Sequence, residues 1–246
     1  MRLEKISILS IGLAMLLFQV APLSGRAGTL SSAAGVDSFN DASGHDLSPE
    51  VDFLWAFAVT SVRDGKIDTQ PITRDMVLKS GDQIKMMVDL CKRCFVYVFH
   101  YNQRDGVKLL FPGELQQFDM DYEPERRYYI PPGESWFRLD ENPGREVFYL
   151  VASAKRLDEL EKAYLRHESA GAPLKAETAK ALVDKIRELR KEHRELGSPA
   201  ERPVSIGGVL RGFEKGRDPN RFDIAAFAVE IMSPGLVART YTIEHK

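Results

Sequence analysis

Little in the composition commits this chain to a chemistry. Two cysteines and five histidines in 246 residues exclude a disulfide-dense scaffold and the repeated Cys and His pairs of structural zinc folds. Neither sign of charge is in excess: 34 Lys and Arg against 36 Asp and Glu leave a net −2, so no whole-chain attraction to nucleic acid is expected. Long apolar stretches are missing after the first, the uncharged run from Ile6 to Ala21, and that run falls short of the about 20 residues that span a bilayer. What remains, 43% hydrophobic and 9% aromatic, is enough to bury a core.

That first run has the layout of an export signal. Arg2 and Lys5 precede it, and Gly25 and Ala27 place small residues at the minus-three and minus-one positions of a cleavage site after Ala27. Residues 1–27 read as a signal peptide, with an uncleaved N-terminal anchor as the alternative; no Cys stands near position 27 to carry a lipid. The expected location is periplasmic or extracellular, with no transmembrane helix once the signal is removed. Residues 28–50, rich in Ser, Ala, Gly and Asp without apolar periodicity, read as a flexible linker.

From Val51 the pattern changes. Phe53, Trp55, Phe57 and Val59 alternate with Leu54, Ala56 and Ala58, so both faces of this strand are apolar. Asp64-Gly65 supplies a hairpin turn. Alternation predicts further strands over 83–90, 95–101 and 107–111, the last two joined across Asp105-Gly106, and then near 127–130, 135–139 and 146–153. Short strands at this spacing predict a mainly β fold, an antiparallel β-sandwich of Ig-like or barrel-like form, over 51–154. Residues 155–199 interrupt it with two helices. The first runs over 156–168; the second ends at Leu196 before Gly197 and Pro199, with Ala179, Leu182, Ile186, Leu189 and His193 on one stripe. This is a helical hairpin docked on the sheet, or one whose stripe binds a partner helix. Strand patterns return over 204–210, 224–231 and 236–243, so that 200–246 rejoins the sheet.

Cys91 and Cys94 form C-K-R-C between two strands. Residues three apart in an extended strand lie about 10 Å from each other, beyond the about 7 Å a disulfide tolerates, so the pair belongs to a turn. In an oxidising compartment a local disulfide stapling a hairpin is expected, with free or redox-active thiols and a metal site as the alternatives. A strand follows the pair where a thioredoxin-like site has a helix, and no His follows Cys94 to give covalent haem attachment. The remaining histidines are scattered singly, so no metal and no cofactor is expected.

Several of these motifs resemble one family. Leu78-Lys79-Ser80-Gly81-Asp82, then Cys94-Phe95-Val96-Tyr97-Val98-Phe99, then Gly106-Val107-Lys108-Leu109-Leu110-Phe111-Pro112 are similar to the bacterial domain of unknown function numbered 4384, as are Ile130-Pro131-Pro132-Gly133 and Gly144-Arg145-Glu146 with Phe148-Tyr149-Leu150-Val151-Ala152-Ser153. The resemblance covers about 51–154. It implies a compact β-rich module, often exported or envelope-associated and attached to varied partners, with no agreed activity and no catalytic residues to carry over. The cysteine turn and the helical hairpin depart from the family's general pattern.

Motifs for chemistry return negatives. Gly133-Glu134-Ser135-Trp136-Phe137 begins like a nucleophile elbow but ends in Phe where the turn needs Gly. Asp119, Asp121 and Glu123 alternate like a calcium loop, yet Pro124 replaces its Gly. Gly207, Gly208 and Gly212 lack phosphate-loop spacing. Tyr128, Tyr129 and Trp136 beside Arg126 and Arg127 form either core filling or an exposed partner surface. Together these point to an exported, non-catalytic interaction module that displays the loop 112–127 and the charged helical hairpin to a protein partner in the cell envelope. The rival is an envelope enzyme, such as a thiol–disulfide exchanger using Cys91 and Cys94.

Overall fold

The computed structural model describes residues 51–194, 200–203 and 222–246. The expected signal peptide, linker and strand over 204–210 lie outside the described residues, as do Leu196, Gly197 and Pro199.

Long two-sided strands organise the molecule. β1 (Val51–Arg63) turns at Asp64-Gly65 into β2 (Lys66–Pro71), both turn residues taking positive φ, as a tight primed hairpin turn demands. β3 (Met76–Leu78), β4 (Gln83–Leu90), β5 (Phe95–Asn102) and β6 (Gly106–Phe111) follow, then a one-turn helix α1 (Gln117–Met120), β7 (Arg127–Ile130), β8 (Phe137–Arg138) and β9 (Gly144–Ser153). After helices α2 (Asp158–Ser169) and α3 (Ala172–Arg194) come β10 (Ala200–Pro203), a 3-10 turn at Ile224–Phe227, β11 (Val229–Ser233) and β12 (Leu236–His245). One sheet has the order β10-β11-β1-β4-β7, with β2 against the far end of β1 and β8 beside β4. The other has the order β3-β12-β9-β5-β6, antiparallel except where β3 runs parallel to β12. This is the expected sandwich.

Odd residues of β1 and even residues of β4 face the second sheet. Phe57 packs edge-on against Phe148 of β9 and Tyr241 of β12, with centroids 5.1 and 5.4 Å apart. The second sheet is buried on both faces. Its outward Tyr97 and Phe99 meet Phe118 and Tyr164, and Tyr97 Oη donates to Glu161 Oε1 of α2 at 2.6 Å. Arg156 donates to both oxygens of the same carboxylate, at 3.0 and 2.6 Å, so this buried acid is paired as burial requires.

The helical stripe is spent internally. Ala179, Leu182, Ile186 and Leu189 are buried in the main core, and His167, also buried, bonds the Val107 carbonyl at 3.1 Å and Thr178 at 3.0 Å. The hairpin is therefore the docked one, not a free stripe for a partner helix; His193 has no described side chain.

Two expectations need correction. β4 and β5 do not form a hairpin: β4 pairs with β1 and β7 in one sheet, while β5 pairs with β6 and β9 in the other. Residues 91–94 carry the chain across the sandwich. Alternation in two consecutive strands cannot tell pairing from crossing, because both strands are apolar in either case. The predicted strand over 224–231 begins instead with the 3-10 turn, capped by the Asp223 side chain accepting from Ala225 N–H, and its strand spans Val229–Ser233.

Because Leu182 is fully buried while Leu174 on the same helix is half exposed, Leu182→Ala is expected to lower unfolding stability by about 2–5 kcal/mol. Leu174→Ala should change it by less than about 0.5 kcal/mol. Urea denaturation of the two variants checks this, and equal losses would contradict the docked hairpin.

Candidate functional site

The outer face of the first sheet is lined by small residues where it matters. Across the β1–β4 ladder Ala58 stands opposite Lys85 and Ala56 opposite Met87, which leaves room above the strands for long side chains. Ile224, Ala228, Tyr129, Trp136 and Phe227 pack there against Ala56, Ala58 and Met87 as a second small core. At its edge a cleft of about 300 Å³ is lined by Lys85, Tyr129, Glu134, Trp136, Phe222 and Asp223 among others.

Lys85 is the floor of that cleft. Its side chain lies across the sheet with little solvent exposure, and Nζ donates to the carbonyls of Gly133 at 2.5 Å and Ser135 at 2.9 Å. The ammonium sits 5.3 Å from the Tyr129 ring centroid and 5.7 Å from that of Trp136, within cation–π range. Burial holds its pKa below the ordinary lysine value, with Glu134 and Asp223 pulling partly back. Tyr129 Oη donates to Asp223 Oδ1 at 2.9 Å, the same oxygen that caps the 3-10 turn. The cleft is thus a preformed aromatic concavity with a fixed cation below and two carboxylates at its rim.

The predicted aromatic surface divides between the two faces of β7. Tyr129 and Trp136 are half-buried at the cleft, and Arg127 lies on the same face, donating to Asp89 at 3.0 Å with Asp223 at 3.9 Å. Tyr128 points the other way into the core, its ring 5.3 Å from Phe111 and 5.6 Å from Tyr122; it is core filling. Arg126 covers the Tyr128 ring at 5.3 Å and pairs with Asp121. Asp119 is held by Arg156, so two of the three carboxylates of the calcium-loop-like motif, Asp119 and Asp121, are paired with arginines. Ser135, the elbow-like serine, offers only its carbonyl, to Lys85.

Sequence reasoning passed over Lys85 because it took the alternation of Ile84, Met86 and Val88 with Lys85 and Met87 only as the mark of a strand. Only Ala56 and Ala58 opposite hinted that this face was covered.

The cysteines are free thiols, Cys94 buried and Cys91 exposed. The turn is tied to β1 instead of stapled: the Cys91 and Lys92 N–H groups both donate to the Asp52 carbonyl at 3.1 Å. Burial pushes the Cys94 thiol up to about 12. Cys91 is pushed up to about 11, by desolvation of the sulfur first and then by Asp52, Asp89 and Glu230.

A second cleft, of about 250 Å³, is lined by His100, Arg138, Asp140, Glu146 and His245 among others. Its polar groups come together through ladders between distant segments, which no local pattern reports. His100 Nε2 and Glu146 Oε2 are 2.5 Å apart. Burial alone would raise the Glu146 carboxyl, but the hydrogen bond and charge of His100, with Asn102 and His245, together outweigh it and hold the group below the usual range. Ser80 Oγ and His245 Nε2 are 3.0 Å apart, yet among the described residues no carboxylate hydrogen-bonds His245, so a Ser-His-acid relay is incomplete there.

Fold and site together define a two-sheet β-sandwich module, backed on one side by a helical hairpin and carrying an aromatic, lysine-floored cleft on the other. Within it, residues 77–156 match the family model described as Domain of unknown function (DUF4384), the family that the motifs of Gly81-Asp82, Gly106 to Pro112 and Gly144 to Ser153 resemble. The match leaves out β1 and β12, although β1 lies inside one sheet and β12 inside the other. Searches of curated proteins and of solved structures give no match.

The high thiol pKa values make a kinetic prediction. Alkylation of Cys91 by iodoacetamide should keep accelerating about tenfold per pH unit past pH 9 and level off only near 11. A plateau below pH 9 would contradict the desolvation and the acidic neighbours assigned to that sulfur.

Proposed function

We propose that the chain is an exported, non-catalytic interaction module that receives a protein partner of the cell envelope in the Lys85 cleft. The carrying observation is that the cleft's polar groups bind one another, Lys85 to two carbonyls and Tyr129 to Asp223, which fixes the walls and leaves the aromatic faces of Tyr129 and Trp136 to a ligand. Preorganised walls reduce the ordering cost of binding, and Trp and Tyr are the side chains that most often dominate interface energetics. The export signal and the resemblance to an envelope-associated family support the location.

The rival, thiol–disulfide exchange through Cys91 and Cys94, is disfavoured by chemistry. Exchange starts from a thiolate, and both sulfurs are surrounded in ways that favour the protonated thiol near neutral pH.

The test uses the full chain as bait in crosslinked envelope extracts. A specific partner should be captured. Tyr129→Ala and Trp136→Ala should each weaken its binding by about 2 kcal/mol or more, whereas Leu165→Ala on the exposed side of α2 should leave it unchanged. Insulin reduction should show no turnover. Capture indifferent to both aromatic variants, or insulin turnover that Cys91→Ala abolishes, would overturn the proposal.

A further inference from the structure

On the same outer face as the cleft, but at the opposite end of β1, three donor groups of different segments converge. The β1–β11 register places Leu54 opposite Glu230 and Asp52 opposite Met232. Asp52 and Leu54 share a face of the strand, so Asp52 and Glu230 are diagonal neighbours on one surface. Cys91 reaches the same spot because its N–H is tied to the Asp52 carbonyl at 3.1 Å. One carboxylate oxygen of Asp52, one of Glu230 and the Cys91 sulfur all lie within 4.8 Å of one another.

A second observation points to a ligand. Asp52 is more than nine-tenths buried, and its Oδ1 is shielded from solvent with no hydrogen-bond partner among the described residues, while the Cys91 thiol of the same cluster hydrogen-bonds its carboxylate. A buried carboxylate oxygen without a partner carries its full desolvation cost, and few arrangements retain one without use. The neighbouring Asp89, by contrast, has Arg127 at 3.0 Å.

We propose that Asp52, Cys91 and Glu230 form a binding site for a thiophilic divalent cation of the zinc class. A tetrahedral zinc ion, with bonds of about 2.0 Å to oxygen and about 2.3 Å to sulfur, holds such donors about 3.3–3.5 Å apart. The present spacing, within 4.8 Å, has to close to that value on binding. The mixed donor set, one thiolate and two carboxylates, selects zinc or cadmium over magnesium and calcium, which take oxygen ligands alone. On binding, the Cys91 S–H bond breaks, a sulfur–metal bond forms, and the proton passes to solvent; no electron changes hands. Three protein donors leave a fourth position for water or a partner's side chain. The sequence offered no sign of this site, since its other two ligands are 39 and 178 residues from Asp52 along the chain.

Cadmium titration of the reduced full chain tests the site, followed by the thiolate-to-metal charge-transfer absorption, with zinc as competitor. We expect one equivalent to bind, zinc to displace it and a large excess of magnesium to leave it in place. Cys91→Ser should abolish the absorption and Glu230→Gln should weaken binding at least tenfold. Cys94→Ala should keep both absorption and affinity, since Cys94 faces the core. No absorption with the wild-type chain, equal binding by Cys91→Ser or by Glu230→Gln, or absorption that depends on Cys94 would overturn the assignment. Far-UV circular dichroism of each variant separates a lost ligand from a lost fold, and Asp52→Asn, which keeps the side chain's shape, repeats the test should Glu230→Gln unfold.

Discussion

Burial of β1 on both of its faces is the constraint from which the other features follow. Its inner side chains, Phe53, Trp55, Phe57 and Val59, are bulky and fill the space between the sheets. Its outer ones at Ala56 and Ala58 are small. A sheet whose outer surface is small and apolar must be covered, since exposed backbone and apolar surface there would be costly. The covering comes from the segment around Trp136 and from the 3-10 turn after Asp223. The incomplete fit between these two covers is the cleft, with Lys85 lying beneath it.

The two faces of the molecule are closed by different means. The second sheet is sealed by a helical hairpin held through a partly buried ionic cluster, in which Tyr97 and Arg156 both bond Glu161. That arrangement fills its own hydrogen-bonding capacity and offers nothing to a ligand. The first sheet is closed by loops around a lysine whose charge is met by carbonyls and rings. Loops positioned on a rigid sheet are the usual seat of recognition, and the opening left by this closure is where the proposed function places the partner. The same face carries the Asp52, Cys91 and Glu230 cluster, so both proposed binding features address one side of the sandwich.

Much of the fold was legible in the residues. Alternation located β4 and β7 at their observed bounds, and Asp64-Gly65 and Asp105-Gly106 marked real turns. The stripe Ala179, Leu182, Ile186 and Leu189 identified the helical face that docks. Local pattern could not say which strand pairs with which: the strand before Cys91 and the one after Cys94 look like a hairpin, yet they belong to different sheets. β2 escaped notice because it is exposed along most of its length and carries no apolar period. Of the aromatic surface, Tyr129 and Trp136 reach the cleft, while Tyr128 is turned inward by the same period-two alternation that revealed its strand. Lys85, Asp223 and Asp52 were invisible as site residues because their importance lies in what covers or faces them across 138 to 178 residues of chain and not in their neighbours in sequence.

The central claim is that recognition belongs to the open face of the first sheet and not to the helices. Amide hydrogen exchange of the full chain, with and without its captured partner, measures this directly. The account predicts new protection over β4, β7 and the 3-10 turn after Asp223, with α2 and α3 unchanged. Protection confined to α2 and α3, with the Lys85 region exchanging as before, would contradict it.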